Sequence, residues 1–154
     1  MGIVKKNIGK GEKIMSTHAS RNTTTGLVFE DTISMTRDGI NLTKHNLYKY
    51  LSKKKIDYTK LISKKLLPDE AYFNPSTGEF AIFEKKYQET SGSADEKPQT
   101  CAFKIHQFRK IGKAIGATKV TYTYIFNNWF AKPEYKDMLE YIRSVDGCDY
   151  IIVE

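Results

Sequence analysis

The chain has 154 residues, of which 40% are hydrophobic and 28% charged, enough for one domain with a sizeable core and too few for two. It contains no run of 18 apolar residues, which excludes a membrane-spanning helix, and the start Met1-Gly2-Ile3-Val4-Lys5-Lys6 matches neither a secretory signal nor the N-myristoylation pattern. Lys and Arg total 25 against 18 Asp and Glu, a net charge of +7 that favours a polyanion or an acidic partner, while Cys101 and Cys148, far apart and outside any CxxC, argue against a disulfide scaffold or a thiolate zinc site and leave the cytoplasm as the expected compartment.

Taken in order, residues 1–25 are rich in Gly, Lys, Thr and Ser and read as a loose arm leading into a helix. Thr23, Thr24 or Thr25 caps that helix, Leu27, Val28, Ile33 and Met35 supply its buried face, and Glu30 falls within it. Residues 42–66 carry eight lysines against the single acid Asp57. Thr43 is a candidate cap for a helix in which Leu47, Tyr50 and Leu51 follow helical spacing, and a second short helix holds Leu61, Ile62 and Leu66. The lysines of this stretch read either as a solvated face or as a phosphate-facing patch.

Pro68 stops the helix. Ala71 to Asn74 reads as a strand, Pro75-Ser76-Thr77-Gly78 as a turn and Glu79 to Gln88 as a longer strand, together a β-hairpin. A polar loop over 89–99 follows. Cys101, Ile105, Phe108, Ile111 and Ile115 then recur at helical spacing. Lys119 to Phe130 reads as a central strand, Pro133 opens a helix with Met138, Tyr141, Ile142 and Val145 inward, and Tyr150 to Val153 is a last strand. This order predicts a single α/β domain. No internal repeat appears, and neither Gly9-Lys10-Gly11 nor the Gly112–Gly116 stretch forms a nucleotide-binding loop.

The chemistry concentrates in the hairpin. Strand alternation puts Glu84, Lys86 and Gln88 on one face and Ala81, Phe83, Lys85 and Tyr87 on the other. Glu84 and Lys86, about 7 Å apart along the strand, can address one small volume, and Asp69 reaches it from the partner strand. Two carboxylates held together repel unless a cation neutralises them, and a hard divalent ion suits oxygen ligands. Such an ion would bind a phosphate oxygen and a water together, with Lys86 stabilising the transition state or orienting the water. The alternatives are ordinary: Asp69 as a turn or helix cap, Glu84 paired across the sheet, Lys86 in solvent, Glu30 on an unremarkable helix surface. His18, His45 and His106 form no ligand or triad pattern.

Pro68-Asp69 followed by Glu84-x-Lys86 on a hairpin resembles the signature of the PD-(D/E)XK nuclease superfamily, and the run Gly92 to Thr100 with Lys104 beyond is similar to sequences in its restriction-type members. The resemblance spans about residues 26 to 130 in element order. It implies a central mixed β-sheet flanked by helices, a restriction-endonuclease-like core, and a Mg²⁺-dependent nuclease with Mn²⁺ as a substitute ion. Carried over, Asp69 and Glu84 are metal ligands, Lys86 is the catalytic lysine, Glu30 touches the metal or its waters, and Gln88 is a polar residue of the same face. Two lysines follow Glu84, so Lys85 is excluded by strand parity rather than by the motif.

These readings lead to a DNA endonuclease of restriction type, expected to act as a homodimer without membrane attachment. Lys53, Lys54, Lys55, Lys97 and Lys104 are the candidate phosphate contacts. A structure-specific nuclease acting on branched DNA has the same signature at this level. A non-catalytic basic nucleic-acid-binding module is the third reading, and a basic domain for an acidic protein partner the fourth.

Overall fold

Phe80, Ala81, Ile82 and Phe83 are consecutive apolar residues, which suits a strand covered on both faces. The computed structural model, which describes residues 2–5, 29, 33–90, 92 and 96–154, places them at the centre of a five-stranded mixed sheet. Its strands are β3 (Ile40–Asn41), β4 (Glu70–Asn74), β5 (Glu79–Lys86), β6 (Lys119–Asn127) and β7 (Cys148–Val153), in that spatial order. β4 pairs antiparallel with both β3 and β5, whereas β5, β6 and β7 run parallel. β5 is therefore where the two halves of the sheet meet. The turn between β4 and β5 depends on Gly78, whose φ of 75° favours glycine and where a Cβ would lie 2.2 Å from the Thr118 hydroxyl.

Among the described residues, three α-helices pack on one face: α1 (Asn46–Lys53), α2 (Cys101–Ile115) and α3 (Lys136–Ser144). Leu47 and Leu51 of α1, Ile105, Phe108 and Ile111 of α2, and Met138 and Ile142 of α3 meet Ala71, Phe73, Phe80, Ile82, Tyr122, Tyr124 and Phe126 from the sheet. The opposite face buries Ala81, Phe83, Ile125 and Val153 against Phe29, Ile33 and Met35. The last two belong to β2 (Ile33–Thr36), which pairs antiparallel with β1 (Gly2–Lys5). The architecture is thus the predicted α/β class with a central mixed sheet. No helix among the described residues is long and apolar enough to cross a membrane.

Four local readings change. Ile33 and Met35 are buried as expected, but from a strand; their spacing of two, with Ser34 between them, is the strand period. Residues 2–5, read as part of a loose arm, are the strand paired to it, while Leu27, Val28 and the three threonine caps lie outside the described residues. The second helix of the basic stretch is a 3₁₀ turn, Tyr58–Lys60, capped by Asp57; of its three apolar residues only Ile62 is buried. Tyr141 is 41% exposed, because Met138 and Ile142 alone fill the narrow buried stripe of α3.

Candidate active site

The last pair of the β4–β5 ladder is Glu70 opposite Phe83. One residue further, antiparallel geometry sets Asp69 opposite Glu84, with side chains on one face of the sheet. Pro68 ends the preceding segment and Asp69 immediately precedes β4, its carboxylate tied to the sheet by hydrogen bonding. Its Oδ2 accepts the Lys85 backbone N–H at 2.8 Å, and its Oδ1 accepts from Lys44 Nζ at 2.9 Å. The Asp69 side chain is 10% exposed.

Glu84 points to the helix-bearing face beside Ile82, and Lys86 Nζ lies 3.4 Å from its Oε1. Both side chains stay partly open to solvent. Burial and the Asp69 charge push the Glu84 carboxyl up to about 7, while Lys86 and then Lys104 pull it the other way. Lys104 is therefore close enough for its charge to act on Glu84; it reaches this position from the first turn of α2. The site lies at the carboxyl end of β5 beside parallel β6, where open α/β sheets place ligands.

Beneath the carboxylates, Tyr124 is the β6 neighbour of Glu84 and Tyr122 that of Ile82. The two rings meet edge to face with centroids 5.2 Å apart, and burial pushes both phenols above the ordinary range, with the negative Glu84 adding to the shift. They form a neutral, polar floor.

Lys85 and Lys86 separate as strand parity requires. Lys85 is buried on the opposite face, with Nζ 3.2 Å from Glu70 Oε2. Glu70 also accepts from the Ser34 hydroxyl (2.7 Å), the Met35 N–H (2.9 Å) and the Tyr72 hydroxyl (2.9 Å). Burial pushes its carboxyl up, but the Met35, Ser34, Lys85 and Tyr72 contacts outweigh this and hold it below its ordinary value. Glu70 is thus a satisfied structural carboxylate beside a strained pair, Asp69 and Glu84.

Gln88 is buried just past β5. Its backbone exchanges hydrogen bonds with the Asn127 side chain at 3.0 and 2.6 Å, and its Nε2 donates to Thr90 O. It ties the following loop to the end of β6. Glu30 lies outside the described residues, as do Ser91 and residues 93–95 of the loop. Lys97 is exposed in the 3₁₀ turn Lys97–Thr100, and Lys53, Lys54 and Lys55 are exposed at the end of α1.

Asp69 and Glu84 are hard oxygen donors. Among the described residues no group of three or more His, Cys, Asp and Glu side chains is placed to hold a metal. Two carboxylates fit Mg²⁺, which keeps several waters and completes its shell with substrate phosphate. Sequence reasoning missed Lys44 as a partner of Asp69. The parallel pairing of β5 with β6, which brings both phenols under Glu84, has no local signal in the sequence. Comparisons of the chain with protein-family models, with curated proteins and with solved structures give no match.

Proposed function

We propose that the chain is a Mg²⁺-dependent DNA endonuclease, hydrolysing phosphodiester bonds in the manner of restriction-type PD-(D/E)XK enzymes. The observation that carries this reading is the opposition of Asp69 and Glu84 across the hairpin with Lys86 on the Glu84 carboxylate. A fold gains nothing from two like charges facing each other. Burial and the Asp69 charge push the Glu84 carboxyl up to about 7 even though Lys86 and Lys104 act against the shift, so a divalent ion shared by the two carboxylates would relieve a repulsion that the neighbouring lysines leave in place.

In this reading Asp69 and Glu84 hold the ion, with Glu30 as a candidate third contact. Mg²⁺, or Mn²⁺ in its place, supplies Lewis-acid stabilisation of phosphoryl charge and acidifies a bound water. Lys86, held beside Glu84, orients the attacking water or donates to the charge that builds on the phosphoryl oxygens. Lys104 offers a second cation on the same side. The Lys85 N–H and Lys44 fix the Asp69 carboxylate so that it need not reorganise during the reaction. Cutting both strands requires two such sites, which a homodimer provides.

The test is incubation of the full chain with supercoiled plasmid and Mg²⁺, with and without EDTA, alongside Lys86→Ala and Glu84→Gln. Cleavage that needs the metal and is lost in both variants supports the reading. Metal-independent cleavage, or cleavage untouched by both substitutions, overturns it. A four-way junction in the same assay separates a structure-specific nuclease from one acting on linear duplex.

A further inference from the structure

The net charge of the chain is concentrated in one segment. Residues 42–66 hold eight of its 25 Lys and Arg and one of its 18 Asp and Glu, so the rest of the chain balances 17 against 17. Part of that segment forms an open groove of about 670 Å³ lined by His45, Tyr48, Lys49, Ser52, Lys53 and Lys65. His45, Lys49, Ser52 and Lys53 are spaced i, i+4, i+7 and i+8, one stripe along α1, with Leu47 and Leu51 turned to the core instead. The far wall is Lys65, whose Nζ lies 5.1 and 5.3 Å from the Tyr48 and Tyr58 ring centroids. That wall is tied to α1 where the Tyr48 hydroxyl donates to Leu66 O at 2.7 Å.

Among the described residues no carboxylate lines this groove. The segment's one acid, Asp57, accepts from the Thr59 N–H and hydroxyl at 3.0 and 2.6 Å and caps its own turn. Among the described residues no ion pair engages Lys49, Lys53 or Lys65. Lys54 and Lys55 stand apart: Lys54 lies over the Tyr50 ring, and Lys55 has a φ of 58° at the helix end. The stripe starts at His45, next to the Lys44 that holds Asp69. From His45 to Lys53 it runs about 12 Å at the helical rise, the length of three to four nucleotides of one strand.

We propose that this α1–Lys65 groove tracks the sugar-phosphate backbone of duplex DNA flanking the scissile bond, with Lys49, Lys53 and Lys65 as its phosphate contacts. The inference rests on the nuclease reading for the position of the scissile bond, but binding tests it separately. The groove supplies sequence-independent affinity and sets the direction in which the duplex leaves the site.

The experiment measures binding of the full chain to a labelled 30-base-pair duplex of arbitrary sequence in EDTA over a series of salt concentrations. Lys49→Gln/Lys53→Gln and the triple variant with Lys65→Gln are compared with Lys110→Gln/Lys113→Gln on α2, after thermal melting shows each to be folded. The expected result is a log Kd against log salt slope smaller by about one per groove lysine, and at least tenfold weaker binding of the triple variant in low salt. The α2 control changes neither by as much. Unchanged slope and affinity in the groove variants, no duplex binding by the parent chain, or tighter binding of RNA or an acidic peptide than of duplex would each overturn the proposal. If the groove variants lose binding while the parent never cleaves DNA, the groove stands and the nuclease reading fails. If the parent cleaves and the groove variants bind as it does, the reverse holds.

Discussion

Lys85 and Glu70 form an ion pair at 3.2 Å, buried on the face of the sheet opposite Glu84 and Lys86. The two lysines are adjacent in sequence yet differ in environment, one 6% exposed and the other 29%. Removing one partner of a buried pair leaves an uncompensated charge, whereas removing an accessible lysine costs little. Lys85→Ala is expected to lower unfolding free energy by about 3 kcal/mol, and Lys86→Ala by less than about 1 kcal/mol. Urea denaturation of the two variants measures the contrast, and plasmid cleavage should show the reverse order, with Lys86→Ala the inactive one.

The elevated Glu84 titration carries a definite sign. Its folded carboxyl titrates near 7 against an ordinary value of 4.5. Between those values the folded protein keeps a proton that the unfolded chain has released. The stabilising contribution is complete below about 4.5 and is lost as pH rises through about 7. The full loss is about 3 kcal/mol by linkage. In metal-free buffer at pH 8, Glu84→Gln should therefore melt at a higher temperature than the parent, with the gap closing by pH 5. A Gln variant that melts lower at pH 8 would show that the carboxylate is not under strain.

A cation held by the same carboxylates should offset that cost. At pH 8, Mg²⁺ at 100 times its dissociation constant is expected to stabilise the parent by about 2.7 kcal/mol, and EDTA should return the melting temperature to its starting value. Asp69→Asn/Glu84→Gln should melt identically with and without the ion. Calorimetry without any nucleic acid reads this effect independently of cleavage.

The two cysteines offer a check on the packing of α2 against β7. Both are buried and free, and the Cys148 thiol donates to the Cys101 backbone carbonyl at 3.7 Å. Burial pushes Cys101 up and Cys148 up to about 12. Thiolate is scarce in the native state, so a disulfide-forming reagent such as DTNB should label neither thiol on the timescale of minutes at pH 8, and both at once in denaturant. Rapid native labelling would contradict the burial of this pair.

Much of the candidate site was legible because it is written in strand alternation. Glu84, Lys85 and Lys86 take the faces that a period of two requires, and the Pro75–Gly78 turn sets which residues oppose which. From that, Asp69 follows as the partner of Glu84. Lys44 was not legible as a site residue, since it is one of eight lysines in its stretch and its contact to Asp69 spans 25 positions. The Tyr122 and Tyr124 floor depends on β6 running parallel to β5, a pairing set by the intervening α2 rather than by any local pattern. Ile33 and Met35 misled because, taken with Leu27 and Val28, they fit a helical stripe as readily as a strand once flanking caps are assumed.

Glu70 has a wider consequence. Its carboxylate takes the Met35 N–H and the Ser34 hydroxyl from β2 while holding Tyr72 and Lys85 of the large sheet, so one side chain fastens two sheets together. Loss of that fastening would let β1 and β2 detach as a cooperative unit while the five-stranded sheet stays intact. Amide hydrogen exchange at Met35 would then quicken to the rate of a sub-global opening, and the interior strands would keep the slow exchange of complete unfolding. Protonation of Glu70, which its partners defer to a pH below the ordinary carboxyl range, would loosen the same joint.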